Sequence, residues 1–236
     1  MTTGMTAVPP RRSGGVATIE LGGSGGFHPP AVAAAADLPR ALHGLLADRT
    51  VRAVLLCGFG SAAVGAGTSP SPAVAQMPSD VACSVVTTVR TAPVPFVASV
   101  EGECVATDVL IALACDLVVA ADSASFAIPA ASLDAALSGD LGPLLVDRIG
   151  IGRASELCLL GDKVSAKQAL DWGVLNAVHP AGETRAAAAA LTARLAAGPT
   201  VALASTKQVL ASAARSAPGV RLDRAATEAT NGDGRG

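Results

Sequence analysis

Aromatic side chains are nearly missing from this chain: among 236 residues there is no tyrosine, one tryptophan (Trp172) and four phenylalanines. Nucleic-acid binding needs a basic surface and, for single strands, stacking rings. With a net charge of −2, neither is supplied, and nucleic acid is not an expected partner. Long apolar runs are missing as well. The longest, residues 109–121, is interrupted by Asp116 and falls short of the roughly 18 residues a membrane span requires, so no membrane association is expected. The opening MTTGMTAVPPRRSGG carries Arg11 and Arg12 without an apolar segment behind them, which is not the pattern of a secretory signal. The five cysteines (Cys57, Cys83, Cys104, Cys115 and Cys158) include no C-x-x-C pair, and the three histidines are scattered. That spacing excludes a zinc framework and a secreted disulfide scaffold. Isolated thiols of this kind serve as small buried hydrophobes. A cytoplasmic protein without a metal or resident cofactor is the expectation.

What remains is aliphatic. Half the residues are apolar, much of that alanine, and the length suffices for one large domain with a substantial core. VATIEL (residues 16–21) alternates as a strand does, and VRAVLL (51–56) is an apolar strand with one Arg. Between them AVAAAADLPRALHGLLA (31–47) is helix-forming, interrupted by Pro39. Strand, helix, apolar strand predicts parallel pairing through a right-handed crossover. Residues 58–78, rich in Gly, Ser, Ala and Pro, predict a loop. A helix over 79–90, a turn at TAPVP, a strand FVASV (96–100) and a further strand over 116–121 repeat the unit, which indicates a layered α/β fold. Beyond Ala130 the chain turns helical, over 141–149, 152–160 and 165–172, with Gly150, Gly161 and Gly173 placed as C-terminal caps and Ser165 as an N-cap. A strand VLNAVHP follows, then helices over 184–197 and 201–215.

The centre of the chain, GECVATDVLIALACDLVVAADSASFAIPA (102–130), has the order of an active-site frame: glycine turn, helix, apolar strand, short loop. Between Gly102 and Asp116, however, its polar side chains are only Glu103, Cys104, Thr107, Asp108 and Cys115.

Several spaced segments resemble the crotonase (enoyl-CoA hydratase/isomerase) superfamily: GVATIEL, VRAVLLCGFGSAAVGAG, APVPFVASVEGECVATDVLIALACDLVVAADSASFAIPA, IGIGRASELCLLGDKVSAKQALDWGVLNAVHP and ALASTKQVL. Together they span roughly residues 14–210. The resemblance implies a crotonase-like ββα spiral core, an α/β fold with a C-terminal helical region. Its implied boundaries are a disordered leader (1–13), the spiral core (14–182), a shortened helical oligomerisation region (183–228) and a disordered tail (229–236). It also implies a homo-oligomer, trimer or hexamer, and an acyl-CoA or related acyl-thioester ligand whose carbonyl oxygen is held by two backbone N–H groups as an enolate forms. The family's continuation past the region of Glu228 is replaced by NGDGRG, which implies a pocket left open or completed by a neighbouring subunit.

On this alignment the first oxyanion donor falls on Gly65, within Ala63-Val64-Gly65-Ala66-Gly67-Thr68, where the family's Phe and Asp are missing. The second falls on Thr107, in a glycine triplet that here is Ala106, Thr107 and Asp108. The two catalytic glutamates of the hydratases correspond to Leu110 and Ala130. Hydration requires a base for water and an acid for carbon, and leucine and alanine are neither. Asp140, in SGDLG, is the preferred substitute carboxylate, with helix N-capping its alternative role. Asp108 is the second, with first-turn interaction with the helix dipole its alternative. A charged Asp108 would repel an enolate. Asp134 is expected to be a solvated loop residue. Cys104 lacks a nearby His or any visible cause for an acidic thiol. His28, His43 and His179 are expected at the surface, and Asp116 at a structural strand start. Lys207 and Arg215 are solvated cations, or contacts for an anionic group. The resulting expectation is an enolate-stabilising acyl-thioester protein that is not a standard hydratase. The alternative is a non-catalytic acyl-thioester-binding or assembly paralogue.

Overall fold

The computed structural model describes residues 11–21, 29–59, 79–129 and 141–216. Its main sheet has six strands in the order β1-β2-β3-β4-β6-β9: β1 (Arg11–Ser13), β2 (Val16–Glu20), β3 (Ala53–Phe59), β4 (Phe96–Val100), β6 (Leu117–Ala121) and β9 (Ala177–His179). All pairings are parallel except the β1–β2 hairpin. The second sheet holds β5 (Glu103–Val105), β7 (Ser125–Ala127) and β8 (Val164–Ser165). The α/β class and helical C-terminal region expected from the sequence are therefore present.

Parallel strands covered on both faces are apolar throughout rather than alternating. β4, FVASV, is buried at all five positions. One face packs on α1 (Pro29–Leu46), α2 (Ser79–Thr91) and α3 (Thr107–Ala114), with Leu56, Phe96, Ala98 and Val100 in the large core. On the other face Leu55, Val97 and Val119 meet Ala188. Ala188 lies on the alanine-rich helix α6 (Thr184–Ala197), which follows α4 (Leu141–Ser155) and α5 (Ala166–Asp171). Small side chains on α6 let it lie close against the sheet.

Several local expectations hold. Ser165 caps α5 with a reciprocal capping box to Gln168. α4 bends at Gly150 (φ 74°) before continuing into a π-helical turn, Glu156–Leu160, that ends at Gly161. Three expectations are corrected. Pro39, expected to interrupt α1, sits within it. Arg11–Ser13, assigned to a structureless leader, pairs antiparallel with β2. The turn is Gly14–Gly15, with φ of 56° and 82°, the left-handed geometry of a two-residue hairpin.

Lys207, expected to be a solvated cation, is buried on α7 (Thr200–Ser216). Its ammonium donates to Val89 O (2.7 Å), Val94 O (3.1 Å) and Asp116 Oδ2 (2.8 Å), and lies 5.1 Å from the Phe96 ring centre. Asp116 also accepts from the Phe96 N–H at 2.8 Å. One side chain thus joins α7 to the end of α2 and the starts of β4 and β6, and Asp116 acts in the fold. Arg52 makes a second link, donating to Gly198 O (2.5 Å) and Thr200 Oγ1 (2.8 Å). Leaving buried carbonyls and a carboxylate without their donor costs energy, so Lys207→Met is expected to lower stability by roughly 2–3 kcal/mol in urea unfolding. An unchanged midpoint would count against the link.

Candidate active site

α3 starts where β5 is forced to stop. Ala106 has φ 52° and ψ −113° and is the one non-glycine residue at positive φ among the described residues. Such a conformation costs about 1–3 kcal/mol and persists only where its surroundings over-determine it. They do so here. Cys104 and Val105 are in register with Phe126 and Ala127, the Ala106 N–H donates to Ala127 O (2.8 Å), and Ala106 O accepts from Val109 N–H (3.1 Å). No side chain caps the helix. The first N–H groups of any helix have no partner within it, and among the described residues those of Thr107 and Asp108 find no acceptor elsewhere. Thr107 is only 5% exposed, and its hydroxyl is buried without a hydrogen-bond partner.

Asp108 is the one residue of α3 that is only partly buried, and its surroundings are apolar enough that desolvation pushes its carboxyl up to about 7 from 3.8. The helix dipole acts the other way and is worth about 0.3–1 kcal/mol, below one pKa unit; burial prevails. Desolvation therefore works against the charged first-turn role expected for Asp108 and favours its protonated form below about pH 7. On the elements packed against α3, the titratable and charged side chains are Asp80, Cys83 and Arg90 of α2, Asp147, Arg148 and Arg153 of α4, and Glu103 and Cys104 of β5. Arg90 pairs with Asp147, Arg148 bonds Cys115 O, Arg153 pairs with Glu156, and Glu103 pairs with Lys163 at 2.9 Å. None offsets the burial of Asp108. Cys104 is fully buried, and burial, with Asp108 beside it, holds its thiol well above the usual range; it is not a nucleophile.

Leu110 is fully buried in the main core, so the central-helix position offers packing and no acid or base. Glu103, paired with Lys163, does not replace it. His43 is exposed and its Nδ1 contacts Pro39 O at 2.7 Å; His179 ends β9, partly exposed. Gly65, Ala130, Asp134, Asp140 and His28 lie outside the described residues. Two features had no signal in the sequence order. Glu101, just past β4, has a buried Oε1 without a partner. Arg185 of α6 donates to Cys57 Sγ (3.1 Å) and pairs with Glu20, across the sheet from α3. Both depend on which strand ends become neighbours.

Comparison with known proteins agrees with this frame. The family model for enoyl-CoA hydratase/isomerase matches residues 31–229, and the chain belongs to that family. It is 32% identical to a candidate enoyl-CoA hydratase of Thermus thermophilus over 84% of this chain and 81% of that protein. It is 36% identical to a mevalonyl-coenzyme A hydratase of Beauveria bassiana, over 37% of this chain and only 31% of the relative's length. Among solved structures, an enoyl-CoA hydratase of Mycobacterium avium subsp. paratuberculosis K-10 superposes with a TM-score of 0.69 at 29% identity, covering 87% of this chain and 81% of that one.

Because the folded state raises the Asp108 pKa from 3.8 to about 7, it holds the proton more tightly than the unfolded chain between those values. That contribution is fully present below about pH 4 and is lost as pH rises to about 7. Asp108→Asn is therefore expected to gain stability relative to the parent at about pH 8 and little at about pH 4.5, by urea unfolding at both. An equal difference at the two pH values would show that Asp108 is not desolvated.

Proposed function

We propose that this chain binds an acyl-CoA, or a related acyl-thioester, and stabilises its enolate at the start of α3. The Thr107 N–H is one donor, the Gly65 N–H the other, and standard hydration is not the reaction. The observation that carries this reading is a helix that opens, from an otherwise buried position, with a Thr107 amide lacking any acceptor among the described residues, while Leu110 is sealed into the core. Donors fixed where charge develops act without reorganising, and losing one typically costs about 10²–10³ in rate. Family membership supports the thioester ligand.

Reactions whose main demand is enolate stabilisation, such as decarboxylation or a double-bond shift, suit this inventory better than hydration. Asp140 is the preferred acid/base, followed by Asp108. A second reading, a thioester-binding or assembly paralogue without turnover, draws support from Leu110. It is also supported by exposed apolar side chains on α7 (Val201, Val209 and Leu210) and around the π-helical turn (Ile151, Leu159 and Leu160), the kind of surface that marks contact with another chain. A homotrimer or hexamer is the assembly proposed.

With crotonyl-CoA, calorimetry is expected to show binding while the conjugated-thioester absorbance stays constant. Loss of that absorbance at the rate of an ordinary hydratase would refute the reading of Leu110 and Ala130. Turnover of a β-carboxyacyl-CoA or a 3-enoyl-CoA, abolished in Asp140→Ala with binding retained, is expected for the enzyme. Binding without turnover across the panel would favour the paralogue.

A further inference from the structure

We propose that the Thr107 hydroxyl and the Asp108 carboxyl group are side-chain hydrogen-bond donors to the ligand's carbonyl oxygen, adding to the main-chain amides at the start of α3. This rests on the acyl-thioester reading above and concerns how that site is built. The glycine triplet implied by the resemblance has no side chains to contribute. Here the same three positions carry a hydroxyl and a carboxyl, and neither is consumed by the fold. The Thr107 hydroxyl is buried and without a partner, an arrangement that costs about 1–3 kcal/mol unless something occupies it. Asp108 neither caps the helix nor pairs with a cation among the described residues.

A charged carboxylate beside a developing oxyanion would oppose the reaction. A protonated one does the reverse, because its O–H points a donor at the oxygen, and a carboxylic acid kept neutral in an apolar site for this purpose has precedent in another enzyme class. Burial of Asp108 supplies that condition below about pH 7. Of the charged and titratable groups on α2, α4 and β5, only the Cys104 thiol is coupled to Asp108; β4 carries none. Cys104 stays neutral throughout this range, so the pH response belongs to Asp108. No bond is made or broken by these donors; they polarise the carbonyl and hold the oxygen.

The test is the carbonyl stretch of bound [1-¹³C]butyryl-CoA, a saturated probe, in isotope-difference infrared spectra. The parent protein is expected to give a band at lower wavenumber at about pH 6 than at about pH 8.5, as Asp108 loses its proton. Asp108→Asn, whose amide still donates, is expected to keep the low band at both. Thr107→Ser should match the parent, and Thr107→Val should move the band up at both. Thermal unfolding of each variant checks that it is folded; the Asn and Ser replacements are near-isosteric and carry the test if Val fails to fold. A bound carbonyl whose band ignores pH, or is unchanged by Asp108→Asn at about pH 8.5, overturns this proposal while leaving the thioester reading intact. Absence of butyryl-CoA binding at either pH overturns both.

Discussion

Desolvation at the start of α3 is the constraint from which the rest of the site follows. Seven of the eight residues of this helix are buried, Thr107 among them. The first amides of α3 meet no acceptor among the described residues. The same apolar surroundings decide the state of Asp108, where the favourable dipole interaction is too small to offset the loss of water. A neutral acid and an unmet set of donors therefore share one location for one reason.

The frame holding that location does not depend on reactive side chains. Ala106 keeps a left-handed backbone although it is not glycine, because the β5–β7 pairing and the Ala127 carbonyl fix the chain on either side of it. Further away, Asp116 and Lys207 secure the starts of β4 and β6. Leu110, three residues into α3, adds to this frame a fully buried apolar side chain.

Apolar runs and their punctuation made most of the fold legible. The largely apolar FVASV and LVVAA segments were read as strands and lie inside the parallel sheet, and Ser165 announced the cap of α5. The β1–β2 hairpin was also written in the chain, as two glycines between RRS and VATIE, but three exposed residues carry no apolar pattern to mark a strand. Lys207 was not legible. Its burial depends on carbonyls at the end of α2 and the start of β4, over a hundred residues away in sequence, and no local pattern encodes that meeting. The helix opening at residues 107 and 108 was legible in the chain and is present as α3. The protonation state of Asp108 lay beyond it, because helix position alone points to a charged residue and only the three-dimensional surroundings reverse the sign.

That reversal bears on the chemistry open to Asp108. A carboxylate that takes up protons from substrate needs access to a charged state, and hence some solvation or a cation nearby. Among the described residues Asp108 has neither cation nor amide to hold a negative charge, so below neutrality it is a poor base. As a donor it needs only its proton and proximity, both of which burial favours. Thr107 has the same asymmetry in milder form: a hydroxyl is a negligible base, but buried and unpartnered it is ready to donate. On the reading proposed above, Thr107 and Asp108 both favour holding an oxygen over moving a proton at the start of α3. A site so composed suits chemistry in which the substrate supplies its own leaving group or its own acidic hydrogen, with the protein steadying the charge that results.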